Sequence, residues 1–384
     1  MRDTIFADIG EEVLSNQKIM GFPRNDFITK ATELGRSSDF IKEALAYASN
    51  LDDKGLPVIY NQCHMSFMLC MEHSQLRTLA HFSSCFYRYF AIKKRSGGLR
   101  RIMSPYRDLR EVQTWIKENI LDKVEQPDYV TAFVKGRNTL GNAKMHEGRK
   151  FILKVDIANF FESIGVRSVY KAFKKMGYDN SVAAWLANLC TAKIDEYKYR
   201  QLEDQEEIQK LFDELYGKEE PFLTQGAPTS PGLANIICAR MDKRMIGLAN
   251  KLGFNYSRYA DDMTFSADRR ENLPKIGIIR KIVESEGFRL KDEKTELLHE
   301  GNRQIVTGLL VDDRVRVPGS YKKVIMRHIH FCKKWGGREH FYRIAPGKAY
   351  GKEWLAGKIR YVHSIEPEVA KRMWMEFEKI DWGY

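Results

Sequence analysis

Three aspartates at two places in the chain are the residues whose types and spacing could do chemistry. Asp261 and Asp262 lie between two short runs rich in apolar and aromatic residues, which predicts a β-hairpin with the two acids at its turn. Asp156 ends the apolar run 151–156, which predicts a buried strand. Taken singly, the pair could be solvated turn acids and Asp156 a strand-end or helix N-cap acid. Taken together, the three carboxylates predict a cluster.

Such a cluster suits a hard divalent cation. Carboxylate oxygens and water are the ligands that Mg²⁺ prefers, with substrate phosphates completing its octahedron. Two Mg²⁺ ions about 3.5–4 Å apart can stabilise the attacking and the leaving oxygen of an in-line displacement at phosphorus. Asp156, Asp261 and Asp262 are therefore the predicted catalytic residues and the ligands of two Mg²⁺ ions.

A second block, residues 223–235, lies between the two acidic sites and has the sequence Leu-Thr-Gln-Gly-Ala-Pro-Thr-Ser-Pro-Gly-Leu-Ala-Asn. Gly226 and Pro228 predict a loop, after which Ser230 and Pro231 can begin a helix as N-cap and first-turn residue. A helix N-terminus offers free N–H groups to an anion or a template backbone.

The strand acid, this block and the Tyr-Ala-Asp-Asp turn occur in the order found in reverse transcriptases, which the chain resembles. The resemblance implies that Gln225 lies beside the incoming nucleotide, as does Tyr259 of the catalytic turn. It also implies that Phe161 excludes a 2′-hydroxyl by its bulk, whereas an aromatic there could otherwise be ordinary core.

A strand–turn–strand pattern over residues 90–103 resembles the fingers hairpin of this family. The resemblance implies that Arg100, helped by Lys94, grips the triphosphate, since a guanidinium fork suits phosphate oxygens. Lys94 could instead make a general contact with the RNA backbone. Lys294 matches a lysine that protonates departing pyrophosphate, although Lys291 is close enough to compete for that role.

Two further segments resemble the retron branch of the family. Asn142-Ala143-Lys144-Met145-His146 is similar to its Asn-Ala-x-x-His signature, and Val306-Thr307-Gly308 resembles its Val-Thr-Gly signature. The resemblance implies that Asn142, His146 and the triplet contact RNA or primer. Alternatively, His146 could be an ordinary loop histidine and the triplet a strand ending in a turn.

The composition favours a nucleic-acid partner. The formal net charge is +12, and residues 314–384 carry sixteen Lys and Arg against seven acids. Residues 88–110 carry eight against one, with aromatic residues between the charges in both segments. The six cysteines have no Cys-x-x-Cys spacing, so we expect reduced thiols rather than a zinc site. Lacking a signal-type or spanning apolar run, the protein is expected to be cytoplasmic, with no membrane partner.

The expected fold is α+β, a right-hand polymerase with fingers, an antiparallel palm sheet and a helical thumb. Helical periodicity predicts a helical N-terminal region over 1–80 and the helices of a basic region over 317–384, and the resemblance assigns fingers and palm to 81–316 and a thumb to 317–384. The acidic insertion 194–220 departs from the retron pattern, with ten acids against four bases. It could contact a partner protein or a second copy of the enzyme, or be a solvated helical hairpin.

The resemblance implies an RNA-directed DNA polymerase that uses dNTPs and a dedicated structured noncoding RNA. It further implies priming from an RNA hydroxyl, an RNA–DNA product with a 2′,5′ branch, and antiphage defence beside a separate effector protein. Two alternatives remain open. One is another bacterial defence or group II intron-like reverse transcriptase, and the other is a nucleic-acid-binding scaffold with a vestigial site.

Overall fold

The computed structural model describes residues 22, 24–94, 97–202, 205–345 and 351–383. Four helices cover the described part of the N-terminal region: α1 (Arg24–Glu33), α2 (Ser38–Asp52), α3 (Gln62–Met68) and α4 (His73–His81). Residues 1–21 of the predicted helical region lie outside the described residues. Asn61 begins α3 with a side-chain cap, accepting a hydrogen bond from the His64 amide at 2.8 Å.

The predicted fingers hairpin is present as strands β1 (Tyr87–Lys93) and β2 (Leu99–Pro105). The strands pair antiparallel, with Tyr89 opposite Met103 and Ile92 opposite Arg100. Tyr89 and Met103 face the core, whereas Arg100 is exposed. Helix α5 (Arg107–Asn119) follows and buries its apolar face behind the hairpin, as its periodicity predicts.

The palm is a four-stranded antiparallel sheet with the order β4-β5-β3-β6. The strands are β3 (Phe151–Asp156), β4 (Asn255–Tyr259), β5 (Asp262–Ala267) and β6 (Glu296–His299), and short helix α6 (Thr139–Lys144) precedes β3. The palm is completed by helices α7 (Val166–Met176), α8 (Asn180–Cys190), α11 (Ser230–Leu252) and α12 (Ile276–Ser285). The acidic insertion contributes α9 (Glu196–Arg200) and α10 (Glu206–Phe212) between α8 and α11. The α+β class and the antiparallel sheet are therefore confirmed.

The start of α11 differs from the prediction by one residue. Thr229 rather than Ser230 is the N-cap, and it makes no side-chain cap hydrogen bond. Pro231 stands in the first turn, where its missing N–H costs no hydrogen bond.

The acidic insertion forms helices α9 (Glu196–Arg200) and α10 (Glu206–Phe212) and packs against the fingers. Phe212 is fully buried and stacks on Tyr89, with ring centroids 5.2 Å apart. The Lys198 ammonium donates to the carbonyl of Tyr87 at 2.6 Å. The insertion is therefore attached to its own chain through one face, and Tyr197 on its surface remains 70% exposed.

The C-terminal region is helical and has a hydrophobic core of its own. A two-stranded ribbon of β7 (Ile305–Val306) and β8 (Leu309–Leu310) leads into α13 (Gly319–Trp335), α14 (Gly337–Ile344), α15 (Gly351–His363) and α16 (Pro367–Phe377). Ile152 of β3 and Ala143 of α6 join this core, so the helices pack directly on the palm. Hairpin, sheet and C-terminal helices have the arrangement of fingers, palm and thumb. Among the described residues, no helix combines the length and apolar character needed to cross a bilayer.

Candidate active site

The three aspartates meet at one edge of the palm sheet. Tyr259 pairs with Asp262 across a two-residue turn, and Asp156 pairs with Asp262 in the neighbouring ladder. The amide of Ile157 donates to the carbonyl of Asp261 at 3.0 Å, which holds the turn against the end of β3. Ala260 in the turn has a φ of +60°, a left-handed conformation that costs energy in a residue other than glycine.

The pKa values of Asp261 and Asp262 reflect the burial and crowding of these carboxylates. Burial, and then the charge of Asp156, raise the pKa of Asp261 to about 6. Burial also raises the pKa of Asp262, although Lys154 opposes the shift. The Lys294 ammonium donates to an Asp156 carboxylate oxygen at 2.5 Å and supplies part of the missing positive charge. Burial opposes the charged lysine, but the bond to Asp156 and the charges of the three aspartates together outweigh it and raise the Lys294 pKa.

The donor set fits Mg²⁺ in chemistry. It consists of carboxylate oxygens, and the pKa values of Asp261 and Asp262 are raised by burial and by neighbouring carboxylates, a penalty that a divalent cation would relieve. In the described part of the chain, no group of three or more His, Cys, Asp and Glu side chains is already arranged to hold a metal ion. Asp156 is bonded to Lys294 instead, so metal binding would require this ammonium to share or release the carboxylate.

Most of the predicted substrate residues line one cleft with the aspartates. The cleft has a volume of about 1110 Å³ and includes Lys94, Arg100, Phe161, Gln225, Tyr259, Lys294, Thr307 and Gly308. Lys291 also lines it, but the Lys291 ammonium pairs with Glu293 at 3.3 Å, whereas that of Lys294 reaches Asp156. The geometry therefore favours Lys294 over Lys291 for the proton-transfer role.

Gly226 explains how Gln225 reaches the cleft. The amide of Met103 in the fingers donates to the carbonyl of Gln225 at 2.9 Å. Gly226 has a φ of +125°, and a Cβ there would lie 2.8 Å from the Met103 carbonyl oxygen. Only glycine permits this close approach between the palm loop and the fingers strand.

Two cleft residues escaped the sequence analysis. Phe133 is 50% exposed, has a φ of +60° and lies 6.3 Å from the Phe161 ring, so it shares the surface predicted for the nucleotide sugar. Arg101 donates to Glu162 at 3.2 Å and to the side chain of Asn159 at 3.1 Å. The position of Arg101 beside Arg100 was the available signal, but strand alternation alone could not show which arginine is paired.

Arg101 also reaches the insertion. The Arg101 guanidinium donates to the carbonyl of Leu211 at 2.9 Å and pairs with Glu214 at 3.7 Å. Fingers, insertion and the loop after Asp156 are thus joined by one side chain that is 16% exposed.

Three predicted RNA or primer contacts lie beneath the surface rather than in the cleft. Asn142, His146 and Val306 are buried, with exposures of 1% or less. His146 bridges Ser257 and Ser266 at 2.8 and 2.7 Å, and thereby ties the two strands of the catalytic hairpin together. Contact of these three side chains with RNA stays a prediction, and their buried positions favour a supporting role.

Thr307 and Gly308 differ from the rest of their signature because they reach the cleft. Both have positive φ, +46° and +85°, and the Thr307 hydroxyl donates to the carbonyl of Thr139 at 3.1 Å. A tight turn therefore presents these two residues in the cleft with the aspartates, and their contact with a primer stays a prediction.

Comparison with known proteins agrees with this geometry. The family model described as reverse transcriptase (RNA-dependent DNA polymerase) matches residues 92–343, which include all three aspartates. The retron Mx162 reverse transcriptase of Myxococcus xanthus is 33% identical over 314 residues, 77% of this chain and 60% of that protein. The retron Ec86 reverse transcriptase of Escherichia coli is 30% identical over 340 residues, 87% of this chain and 93% of that protein. The chain thus spans under two thirds of one relative and nearly all of the other.

Among solved structures, telomerase from Candida albicans in complex with a fragment of telomeric RNA aligns with a TM-score of 0.42. The alignment covers 77% of this chain and 55% of that chain at 12% identity.

Proposed function

Because the chain belongs to the reverse transcriptase (RNA-dependent DNA polymerase) family, we propose that it copies part of a cognate structured noncoding RNA into DNA as the polymerase of a retron. The observation that carries the proposal is the meeting of Asp156, Asp261 and Asp262 in a cleft that also holds the predicted triphosphate and template contacts. The retron names of the relatives support the narrower assignment.

In the reaction a primer hydroxyl loses its proton to water, its oxygen joins the α-phosphorus of a dNTP, and the bond from that phosphorus to pyrophosphate breaks. Two Mg²⁺ ions held by the three aspartates would supply charge stabilisation at the attacking and leaving oxygens. Lys294 holds a proton at Nζ beside Asp156 and can pass it to the departing pyrophosphate. Asp156 therefore positions the acid as well as serving as a ligand.

We assign substrate selection to side chains that line the cleft. Arg100 and Lys94 on the exposed end of the fingers hairpin grip the triphosphate, since both line the cleft and Arg100 has a bidentate fork. Phe161 excludes ribose, and Phe133 forms the adjoining wall. Gln225 and Tyr259 contact the nucleotide and the base pair from the palm side.

The cognate RNA is assigned to the thumb surface. There, cations lie over exposed aromatic rings, with Lys358 4.6 Å from the Trp354 ring centroid and Arg343 5.1 Å from that of Trp335. Tyr342 is 68% exposed on the same group of helices. Stacking platforms beside positive charge are what unpaired bases and a phosphate backbone require.

The finer parts of the proposal concern product and context. An RNA 2′-hydroxyl primes synthesis, the RNA–DNA product retains a 2′,5′ branch, and the complex acts in antiphage defence with a separate effector protein. The alternatives are a reverse transcriptase without a dedicated template and a nucleic-acid-binding scaffold that makes no DNA.

Purification from cells that carry the native locus, followed by extraction of bound nucleic acid, tests the proposal. We expect a discrete DNA that shortens with RNase, keeps a resistant ribonucleotide branch, and is absent from an Asp261→Asn/Asp262→Asn variant. Asp39→Asn, which alters an exposed acid in α2, is the matched control and keeps the product. Heterogeneous DNA would favour the first alternative, and bound RNA without DNA would favour the scaffold.

A further inference from the structure

Arg258, in the strand that precedes the catalytic turn, is fully buried and lies between helix α11 and that turn. The Arg258 guanidinium binds both carboxylate oxygens of Asp242, at 2.8 and 2.7 Å. A third nitrogen donates to the Asn235 side chain and to the carbonyl of Ala260, each at 3.1 Å. The fork therefore connects two residues of α11 with the strained residue between Tyr259 and Asp261.

The same strand residue is also held through its backbone. The Arg258 amide donates to the carbonyl of Tyr129 at 2.8 Å, and its carbonyl accepts from the amide of Thr131 at 2.9 Å. The Thr131 hydroxyl in turn donates to the Asn142 side chain at 2.7 Å. The retron-type signature residue Asn142 is thereby joined to the catalytic hairpin without touching the cleft.

Asn235, which accepts a hydrogen bond from Arg258, also holds the loop that carries Phe133. The side-chain amide of Asn235 donates to the carbonyl of Ala132 at 2.9 Å. Ala132 directly precedes the strained Phe133. Two non-glycine residues with a left-handed φ thus adjoin these bonds. The carbonyl of Ala260 accepts from Arg258, and Phe133 directly follows Ala132, whose carbonyl accepts from Asn235. Strained backbone persists only where its surroundings over-determine it, which is what these bonds do.

The buried Arg258–Asp242 ion pair is not required for the stability of a hydrophobic core. Desolvating an ion pair is expensive, and replacing a buried pair by apolar residues is often neutral or stabilising. A buried arginine whose donors reach a backbone carbonyl in the catalytic turn is therefore better explained by geometry than by stability.

We infer that Arg258, held by Asp242 and Asn235, is a positioning residue that fixes the catalytic turn and the Phe133 loop relative to each other. The inference rests on the proposed polymerase function for its kinetic consequence. Arg258 does not touch substrate; it sets where Asp261 and Asp262 stand relative to Asp156.

The main test removes the pair without leaving a charge behind. The variant Tyr256→Phe/Arg258→Met/Asp242→Leu also removes the Tyr256 hydroxyl, which donates to Asp242 at 2.7 Å and would otherwise lose its acceptor. We expect a Tm within about 4 °C of the wild type. We expect kcat for primer extension to fall on the order of 100-fold, with the dNTP KM and the RNA Kd almost unchanged.

Hydrogen exchange gives a readout that does not depend on catalysis. Amides of residues 259–263 should exchange about ten times faster in the triple variant, while those of thumb helix α15 should not change. Arg258→Lys is the second variant, in case the triple variant does not fold. A lysine keeps the charge but cannot serve Asp242 and the Ala260 carbonyl together, so we expect a smaller loss of kcat and faster exchange confined to the turn.

Arg244→Met/Glu286→Leu is the matched control, because it removes an ion pair that joins the same helix α11 to the residue after α12, while Arg240, the other partner of Glu286, is largely exposed to solvent. Wild-type kcat and exchange in a folded Arg258 variant would overturn the inference. If the wild-type protein extends no primer, the proposed function fails by itself. The exchange comparison then still decides whether Arg258 fixes the turn.

Discussion

Palm and thumb use charge in opposite ways. In the palm, Arg258 and Asp242 are buried and bonded to each other, and Lys294 is bonded to Asp156. In the thumb, Arg343 and Lys358 lie over aromatic rings at the surface. Buried and fully paired charge fixes geometry, whereas the thumb cations, of which Arg343 also pairs with Glu339 at 2.7 Å, lie beside exposed rings on which bases can stack. Under the proposed function, placement of the reacting atoms and affinity for RNA would therefore reside in separable parts of the molecule.

The two regions also have separate hydrophobic cores. One core contains the N-terminal helices, fingers and most of the palm, and the other contains the thumb with Ile152 and Ala143. Ile152 lies on β3, the strand that ends in Asp156. The thumb therefore packs directly against the catalytic strand.

Removing charge from the catalytic turn should have the largest effect. Asp261→Asn or Asp262→Asn should lower kcat by a factor on the order of 1000 or more, because phosphoryl transfer relies mainly on positioning and electrostatic stabilisation. Binding of the cognate RNA, measured as Kd by filter retention, should not change because the thumb is untouched. Weak RNA binding in these variants would contradict the separation of palm and thumb.

Removing an exposed thumb ring should have the reverse effect. Tyr342→Ala should weaken RNA binding by about 1–3 kcal/mol if the ring stacks on a base. The kcat at saturating RNA should stay the same. Tyr197→Ala in the acidic insertion is the matched control, since Tyr197 is equally exposed but lies among acids. Equal losses in the two variants would remove the thumb surface from the proposal.

Acid should destabilise the palm through His146. Burial, and then the charge of Arg149, lower the pKa of His146 to about 3, below its unfolded value of about 6.5. Between these values the unfolded chain binds more protons, so the stabilisation is complete above about pH 6.5 and is lost as the pH falls. The expected slope is up to about 1.4 kcal/mol per pH unit in the free energy of unfolding, measured by urea titration.

His146→Asn should lose this contribution to the slope while lowering stability at neutral pH, because Ser257 and Ser266 lose their bridge. His81→Asn, at an exposed position, is the control and should keep the wild-type slope. An unchanged slope in the His146 variant would show that another group is responsible for the acid sensitivity.

The smallest effect is expected from a thumb glycine with open surroundings. Gly357 is exposed within α15, and a Cβ there would meet no atom within 4 Å. Gly357→Ala should raise the free energy of unfolding by about 0.5–1 kcal/mol, since alanine favours the helix. Thermal unfolding measures the change. A decrease in Tm would indicate that this face of the thumb helix is not open.

The fold could be predicted where local patterns are strong. The fingers hairpin over residues 87–105 and the catalytic hairpin over 255–267 follow from alternating runs around turn residues. Helix α5 follows from its periodicity, and the start of α11 was misplaced by one residue. The acidic insertion could not be placed, because the burial of Phe212 against Tyr89 depends on a pairing between distant segments.

The site was predicted unevenly. Residues next to the catalytic motifs, such as Gln225 and Lys294, lie in the cleft with the aspartates. Phe133 and Arg101 were missed, since neither has a local pattern that separates it from core or surface residues. Asn142 and His146 were recognised as a signature, but their burial beneath the catalytic hairpin was not foreseen.

Residue types and order alone were enough to predict the carboxylate cluster, the basic charge of the chain and the main hairpins, because these depend on local chemistry and short-range periodicity. Only the tertiary structure shows that Arg258 contacts Asp242 and Ala260. It alone also shows that Asn142 is joined to the catalytic hairpin through Thr131. Such contacts join segments more than a hundred residues apart in some cases, such as Thr131 and Arg258. No local pattern in the chain encodes them, since their partners are chosen by packing.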